Sequence, residues 1–82
     1  MNIIILYYKE MDYDEFNSKF GTKLKYYRLL NGLTQEDLSE KLDVDAHYIS
    51  DIERGTRNIT MKTFHKIAVA LGVEPYKLFY FD

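Results

Sequence analysis

Apolar side chains recur along most of this chain at helical steps. Phe16, Phe20, Leu24 and Tyr27 fall three or four residues apart and line one face of a first helix. Asn31-Gly32 ends it, because glycine accepts the left-handed conformation that closes a helix. Thr34 followed by Gln35-Glu36-Asp37 reads as an N-cap, with carboxylates set against the positive end of a second helix that buries Leu38 and Leu42. A third helix is predicted from the Asp45 cap through Ile49 and Ile52 to Arg54, stopped by Gly55. Thr60 caps a fourth, with Met61, Phe64, Ile67, Ala68 and Leu71 inward and Gly72 closing it. Glu74-Pro75 starts a short fifth helix, since proline suits a first helical turn. Joined by connections of a few residues, these elements predict an all-α, compact five-helix domain over residues 13–82.

The opening segment breaks the pattern. Residues 2–8, Asn-Ile-Ile-Ile-Leu-Tyr-Tyr, are β-branched and aromatic, which favours an extended arm over residues 1–12. Such an arm packs on its own domain, or pairs as a strand with Leu78-Phe79-Tyr80-Phe81, including those of a second subunit. Met11 offers an alternative start that would remove it.

Composition narrows the class. A hydrophobic fraction of 46% supports a packed core in place of a disordered chain. Absence of cysteine excludes disulfide staples and thiolate metal sites, so stability rests on packing. The apolar run from Ile3 to Tyr8 is too short to span a bilayer, and a cytoplasmic protein is expected. Net charge is −2, unhelpful for binding a polyanion, but it is unevenly spread. Residues 20–71 carry eight basic against seven acidic side chains, so any nucleic-acid affinity depends on where the cations sit.

The second and third helices carry the informative constellation. Two helices crossing steeply through a tight turn need Leu38 and Leu42 in the corner, Val44 filling the turn, and Ile49 and Ile52 meeting them. A small side chain, Ser39, stands where the helices come closest. From Phe20 to Phe79 the chain resembles the lambda-repressor/Cro-like (XRE) helix-turn-helix family. The matching residues are Leu33-Thr34-Gln35-Glu36-Asp37-Leu38-Ser39-Glu40-Lys41-Leu42, Tyr48-Ile49-Ser50-Asp51-Ile52-Glu53-Arg54-Gly55, Arg57-Asn58-Ile59-Thr60 and Ile67-Ala68-Val69-Ala70-Leu71-Gly72-Val73. The run from Glu53 to Thr60 is especially similar to small restriction–modification controller-type regulators. Ser39 replaces the family's usual alanine and Asp43 its usual turn glycine, and aspartate tolerates a left-handed backbone better than most residues.

The resemblance implies a sequence-specific DNA-binding transcriptional regulator that sits as a homodimer on a palindromic operator. It implies an architectural ion pair between Arg28 and Glu53, and a recognition helix over residues 45–54 with its N-terminal half in the major groove. Ala46, His47, Ser50 and Asp51 face bases, with Tyr48 close by. Ala46 suits a thymine methyl, His47 the guanine acceptors, and Asp51 a cytosine amino group. His47 and Asp51, four apart, are also expected to pair with each other. Phosphate contacts are expected from Gln35, Arg54, Arg57 and Asn58, with Arg57 the foremost anchor.

One module reads few base pairs, so a dimer interface is expected at the tail aromatics Tyr76, Phe79, Tyr80 and Phe81. Glu36, Asp37 and Glu40 form an acidic face that some relatives use on the sigma subunit of RNA polymerase; a solvated helix face is the plainer reading. No enzyme is expected, because His47, Ser50 and Asp51 share one helix turn and cannot align as a triad. No metal site or cofactor is implied: His47 with Asp51 lacks a third ligand, and His65 lies on the next helix. The alternative class is a protein-binding adaptor or antitoxin using the same fold, which the acidic residues of the third helix favour.

Overall fold

The structure, a computed structural model, describes residues 10–81. The expected arm therefore lies, for residues 1–9, outside the described residues. Four α-helices follow in order: α1 Tyr13–Leu30, α2 Gln35–Leu42, α3 Ala46–Glu53 and α4 Met61–Leu71. A 3-10 helix, Pro75–Phe79, comes last. The described residues contain no strand, and the all-α class stands.

The ends of the helices follow the capping chemistry of the sequence. Asp12 accepts the Glu15 N–H at 2.8 Å and Thr60 accepts the Thr63 N–H at 3.1 Å. At α2 the cap is reciprocal: the Asp37 N–H donates to Thr34 Oγ1, and the Thr34 N–H donates to Asp37 Oδ2, both at 2.9 Å. Those bonds hold the Asp37 carboxyl below the ordinary carboxylate range, the Thr34 backbone N–H contributing most. Asp37 thus serves the helix start, while Glu36 and Glu40 are exposed. Asp43 takes the left-handed conformation that the turn demands, with φ 56° and ψ 50°.

The fifth element differs from the expectation. It is a 3-10 helix, so the domain has four α-helices in place of five. Five residues offer too few i to i+4 bonds to repay helix nucleation, and Glu74 supplies no side-chain cap. The same fact removes a strand at Leu78 and Phe79 as a partner for the arm. Met61, expected inward, is 76% exposed because it opens the first turn of α4, ahead of the buried run at Phe64, Ile67, Ala68 and Leu71.

A single core joins every element. Leu24 of α1, Leu38 of α2, Ile49 and Ile52 of α3, Ile67 of α4 and Leu78 of the 3-10 helix are fully buried. Each contributes about 1.5–3 kcal/mol by leaving water. The helix-turn-helix corner is as the spacing requires: Leu38 and Leu42 meet Ile49 and Ile52, and Val44 packs against them from the turn. Ser39 is buried there, and its hydroxyl donates to the Glu36 carbonyl at 2.7 Å, so a polar residue is tolerated in a small apolar slot.

Helix α1 packs directly against the backbone of α3 at Gly21. A Cβ on Gly21 would overlap the Ile52 carbonyl oxygen and lie 2.5 Å from that of Glu53. Both obstacles are backbone, so neither can swing aside. Glycine is unfavourable in a helix interior by roughly 1 kcal/mol, and here it is the only residue that fits. Gly21→Ala is accordingly expected to destabilise the domain by about 1–3 kcal/mol in urea denaturation, as overpacking does. A gain in stability, as helix propensity alone dictates, would contradict this contact.

Candidate nucleic-acid interface

Helix α3 is amphipathic in a way that leaves one side to solvent. Ile49 and Ile52 face the core, and Asp45 caps the start by accepting the His47 N–H at 2.7 Å. That backbone bond, followed by the His47 ring, keeps the Asp45 carboxyl below its ordinary range and therefore ionised at neutral pH. On the outer side the His47 side chain is 95% exposed, so the polar edge stands clear of the domain's own packing. Ala46, Ser50 and Asp51 are partly exposed along the same edge, and Arg54 ends it.

The orientation of α3 is fixed from behind. Arg28 of α1 donates from Nε to Glu53 Oε2 at 2.6 Å and from Nη2 to Oε1 at 3.1 Å. Its Nη1 reaches the Leu33 carbonyl at 2.7 Å, just past the end of α1. Both side chains are nearly inaccessible, 7% and 4%, so this is a buried bidentate pair with its donors committed. Gln35 joins it, donating from Nε2 to Glu53 Oε1 at 3.0 Å. Gln35, expected at phosphate, is thus half-buried at the start of α2 with its amide nitrogen turned to this network.

Five predicted contact residues, Tyr48, Ser50, Asp51, Arg54 and Arg57, form one cluster on the outer edge. Arg54 donates to Ser50 Oγ at 2.8 Å through Nη1 and to Asp51 Oδ1 through Nη2. Arg57 approaches the other carboxylate oxygen, Oδ2, at 3.6 Å. Its guanidinium lies over the Tyr48 ring, 4.8 Å from the centroid, a cation–π arrangement. The expected His47–Asp51 pair is not formed. His47 Nδ1 lies 3.1 Å from Asp45 Oδ1, while two permanently charged guanidiniums take Asp51.

Asn58 belongs to a different corner. Its Oδ1 accepts from the Tyr13 hydroxyl at 2.8 Å and from Asn17 Nδ2 at 3.4 Å, tying the loop after α3 to α1. Gly55 lets this loop come close: its φ is 76°, and a Cβ there would lie 2.8 Å from the Ser18 Cα. Tyr13 and Asn17 were not among the predicted site residues, and no spacing in the sequence marks them. The Ser50, Asp51 and Arg54 contacts do follow helical spacing of three and four.

The tail aromatics divide in two. Phe79 stacks on Phe64 at 4.7 Å and also meets Phe16 and Phe20, and Phe81 meets Phe16 edge-on at 5.6 Å. Tyr76 and Tyr80 remain 61% and 66% exposed. Among the described residues no three His, Cys, Asp or Glu side chains converge as for a metal ion, and no helix is long and apolar enough to cross a membrane.

A buried corner of α2 and α3, with a solvent-facing polar edge on α3, defines a helix-turn-helix protein. The chain belongs to the helix-turn-helix family HTH_3, which matches residues 24–78 and agrees with the XRE resemblance. Control protein C.BamHI of Bacillus amyloliquefaciens is 47% identical over 60 residues, covering 72% of this chain and 74% of its own length. The uncharacterized helix-turn-helix-type transcriptional regulator MJ0272 of Methanocaldococcus jannaschii is 45% identical over 60 residues, 73% of this chain and 91% of that one. The crystal structure of the restriction–modification controller protein C.AhdI from Aeromonas hydrophila superposes with a TM-score of 0.79 at 38% identity, covering 84% of this chain and all of that one.

The Arg28–Glu53 pair yields a sharp expectation. Arg28→Met leaves a buried carboxylate without its cation and is expected to cost about 3–5 kcal/mol in urea denaturation. Arg28→Met combined with Glu53→Leu is expected to cost clearly less than the two single changes summed. Additive costs would mean the pair is not the tie described.

Proposed function

We propose that this chain is a sequence-specific DNA-binding transcriptional regulator that binds a palindromic operator as a homodimer, with α3 lying in the major groove. The observation that carries this reading is the free polar edge of α3, flanked by two arginines and held rigidly from behind by the Arg28–Glu53 pair. Relatives that are control proteins and transcriptional regulators support it. The DNA-binding domain runs from Tyr13 onward. In this reading Ala46, His47, Ser50 and Asp51 face base edges beside Tyr48, and Gln35, Arg54, Arg57 and Asn58 serve the backbone. Arg57 is the foremost anchor, being prepositioned over Tyr48 while still 48% exposed.

Selection from randomised duplexes by gel shift tests this. Enrichment of a two-fold symmetric site, with half-sites about one helical turn apart, is the expected outcome. Arg57→Ala is expected to weaken the selected site by about 1–3 kcal/mol. No enrichment at low salt would remove the regulator and leave the protein-binding adaptor or antitoxin, which the carboxylates of Asp45 and Asp51 beside the α3 edge favour.

Dimerisation is proposed through the tail. Tyr76, Phe79 and Tyr80 are 61%, 41% and 66% exposed there and carry the proposed interface with Phe81, while Phe79 and Phe81 also pack on Phe16 of their own domain. Tyr76→Glu with Tyr80→Glu is expected to give a folded monomer by sedimentation and unchanged helicity by circular dichroism. An unchanged dimer mass would place the interface elsewhere.

A further inference from the structure

Two carboxylates, Asp45 and Asp51, stand with Arg54 and Arg57 at the proposed DNA-facing edge of α3. Asp51 lies beside Arg54 and Arg57, where a phosphate-seeking surface gains nothing from negative charge. Its side chain is 29% exposed, and one oxygen faces each guanidinium: Oδ1 toward Arg54 and Oδ2 toward Arg57, the latter at 3.6 Å. The two arginines are further steadied on opposite flanks, Arg54 by Ser50 Oγ and Arg57 by the Tyr48 ring. The result is a forked clamp with Asp51 at its centre.

Resting on the DNA-binding reading, we propose that Asp51 is a positioning residue for specificity: it holds Arg54 and Arg57 in the directions the cognate site requires and penalises binding anywhere else. A guanidinium has five N–H donors, and the carboxylate engages only part of that set. On a cognate duplex both arginines keep Asp51 and present their remaining donors to DNA. On a non-cognate duplex the protein docks by charge alone, and the phosphates rarely fall where the clamp aims. The arginines must then swing away, breaking both pairs and leaving an unpaired carboxylate near phosphate oxygens. The clamp therefore costs little in the specific complex and more in the non-specific one. That difference is discrimination.

The test uses the whole chain carrying Asp51→Asn, which keeps the side chain's shape and removes its charge. Thermal melting confirms that the variant folds. Affinity is measured for the selected operator and for a scrambled duplex across a salt series. The scrambled duplex is expected to bind about three- to tenfold more tightly, with a steeper salt dependence, because the freed arginines neutralise more phosphate. The operator is expected to gain nothing, so the ratio of the two affinities falls. Adding Arg57→Ala to Asp51→Asn is expected to erase most of the gain on scrambled DNA. A purely structural role would weaken both duplexes together, and that result would overturn the proposal. So would unaltered affinity for scrambled DNA, even with preference changed at one base pair of the operator. Failure of the unsubstituted protein to bind any duplex would instead defeat the DNA-binding reading itself.

Discussion

A buried guanidinium–carboxylate pair sets the orientation of everything the outer surface presents. Arg28 in α1 grips Glu53 at the far end of α3 by two bonds, and Gln35 at the start of α2 grips the same carboxylate. Three helices thus converge on one group that water barely reaches. Such a pair adds little net stability over an apolar replacement, because desolvation offsets its attraction. Its value is angular: rotation of α3 about its axis would strand a charge. Close packing at Gly21 reinforces the same constraint, since α1 touches the α3 backbone at Ile52 and Glu53. On the proposed reading, a helix that must match a rigid groove needs this kind of fixed bearing.

The outer edge is built by a different logic. Its groups are exposed, their pairs are weak, and each is able to exchange a protein partner for a new one. Tyr48 and Ser50 steady Arg57 and Arg54 without burying them. The loop that carries Arg57 and Asn58 is itself anchored to α1 by Tyr13 and Asn17. Strong constraint behind and loose constraint in front are consistent with a surface that is shaped before a partner arrives yet free to bind it.

How much of this could be read from the sequence follows from how local each feature is. The caps at Thr34, Asp45 and Thr60 and the Leu38, Leu42, Ile49 and Ile52 corner are short-range patterns, and the helices appear where those patterns put them. Arg28 with Glu53 came through family resemblance. The 3-10 geometry of the last element was hidden because proline marks a helical start but does not set its hydrogen-bond register. His47 and Asp51 have the right spacing to pair, and a rule of spacing does not weigh competitors: Arg54 and Arg57 hold Asp51 more strongly. Gly21, the Tyr48–Arg57 stack and the Tyr13–Asn58 bond join residues distant in the chain, and nothing in their local sequence announces them.

The central claim is that the solvent-facing edge of α3 is the surface that meets DNA. The most direct measurement is a titration of isotopically labelled protein with its selected duplex, following backbone and arginine side-chain resonances by NMR. Large shifts are expected at residues 46–51 and 54–58, with the core positions behind them little changed. Shifts confined to the tail around Tyr76 and Tyr80, or to the Glu36 and Glu40 face of α2, with the α3 edge silent, would contradict the account.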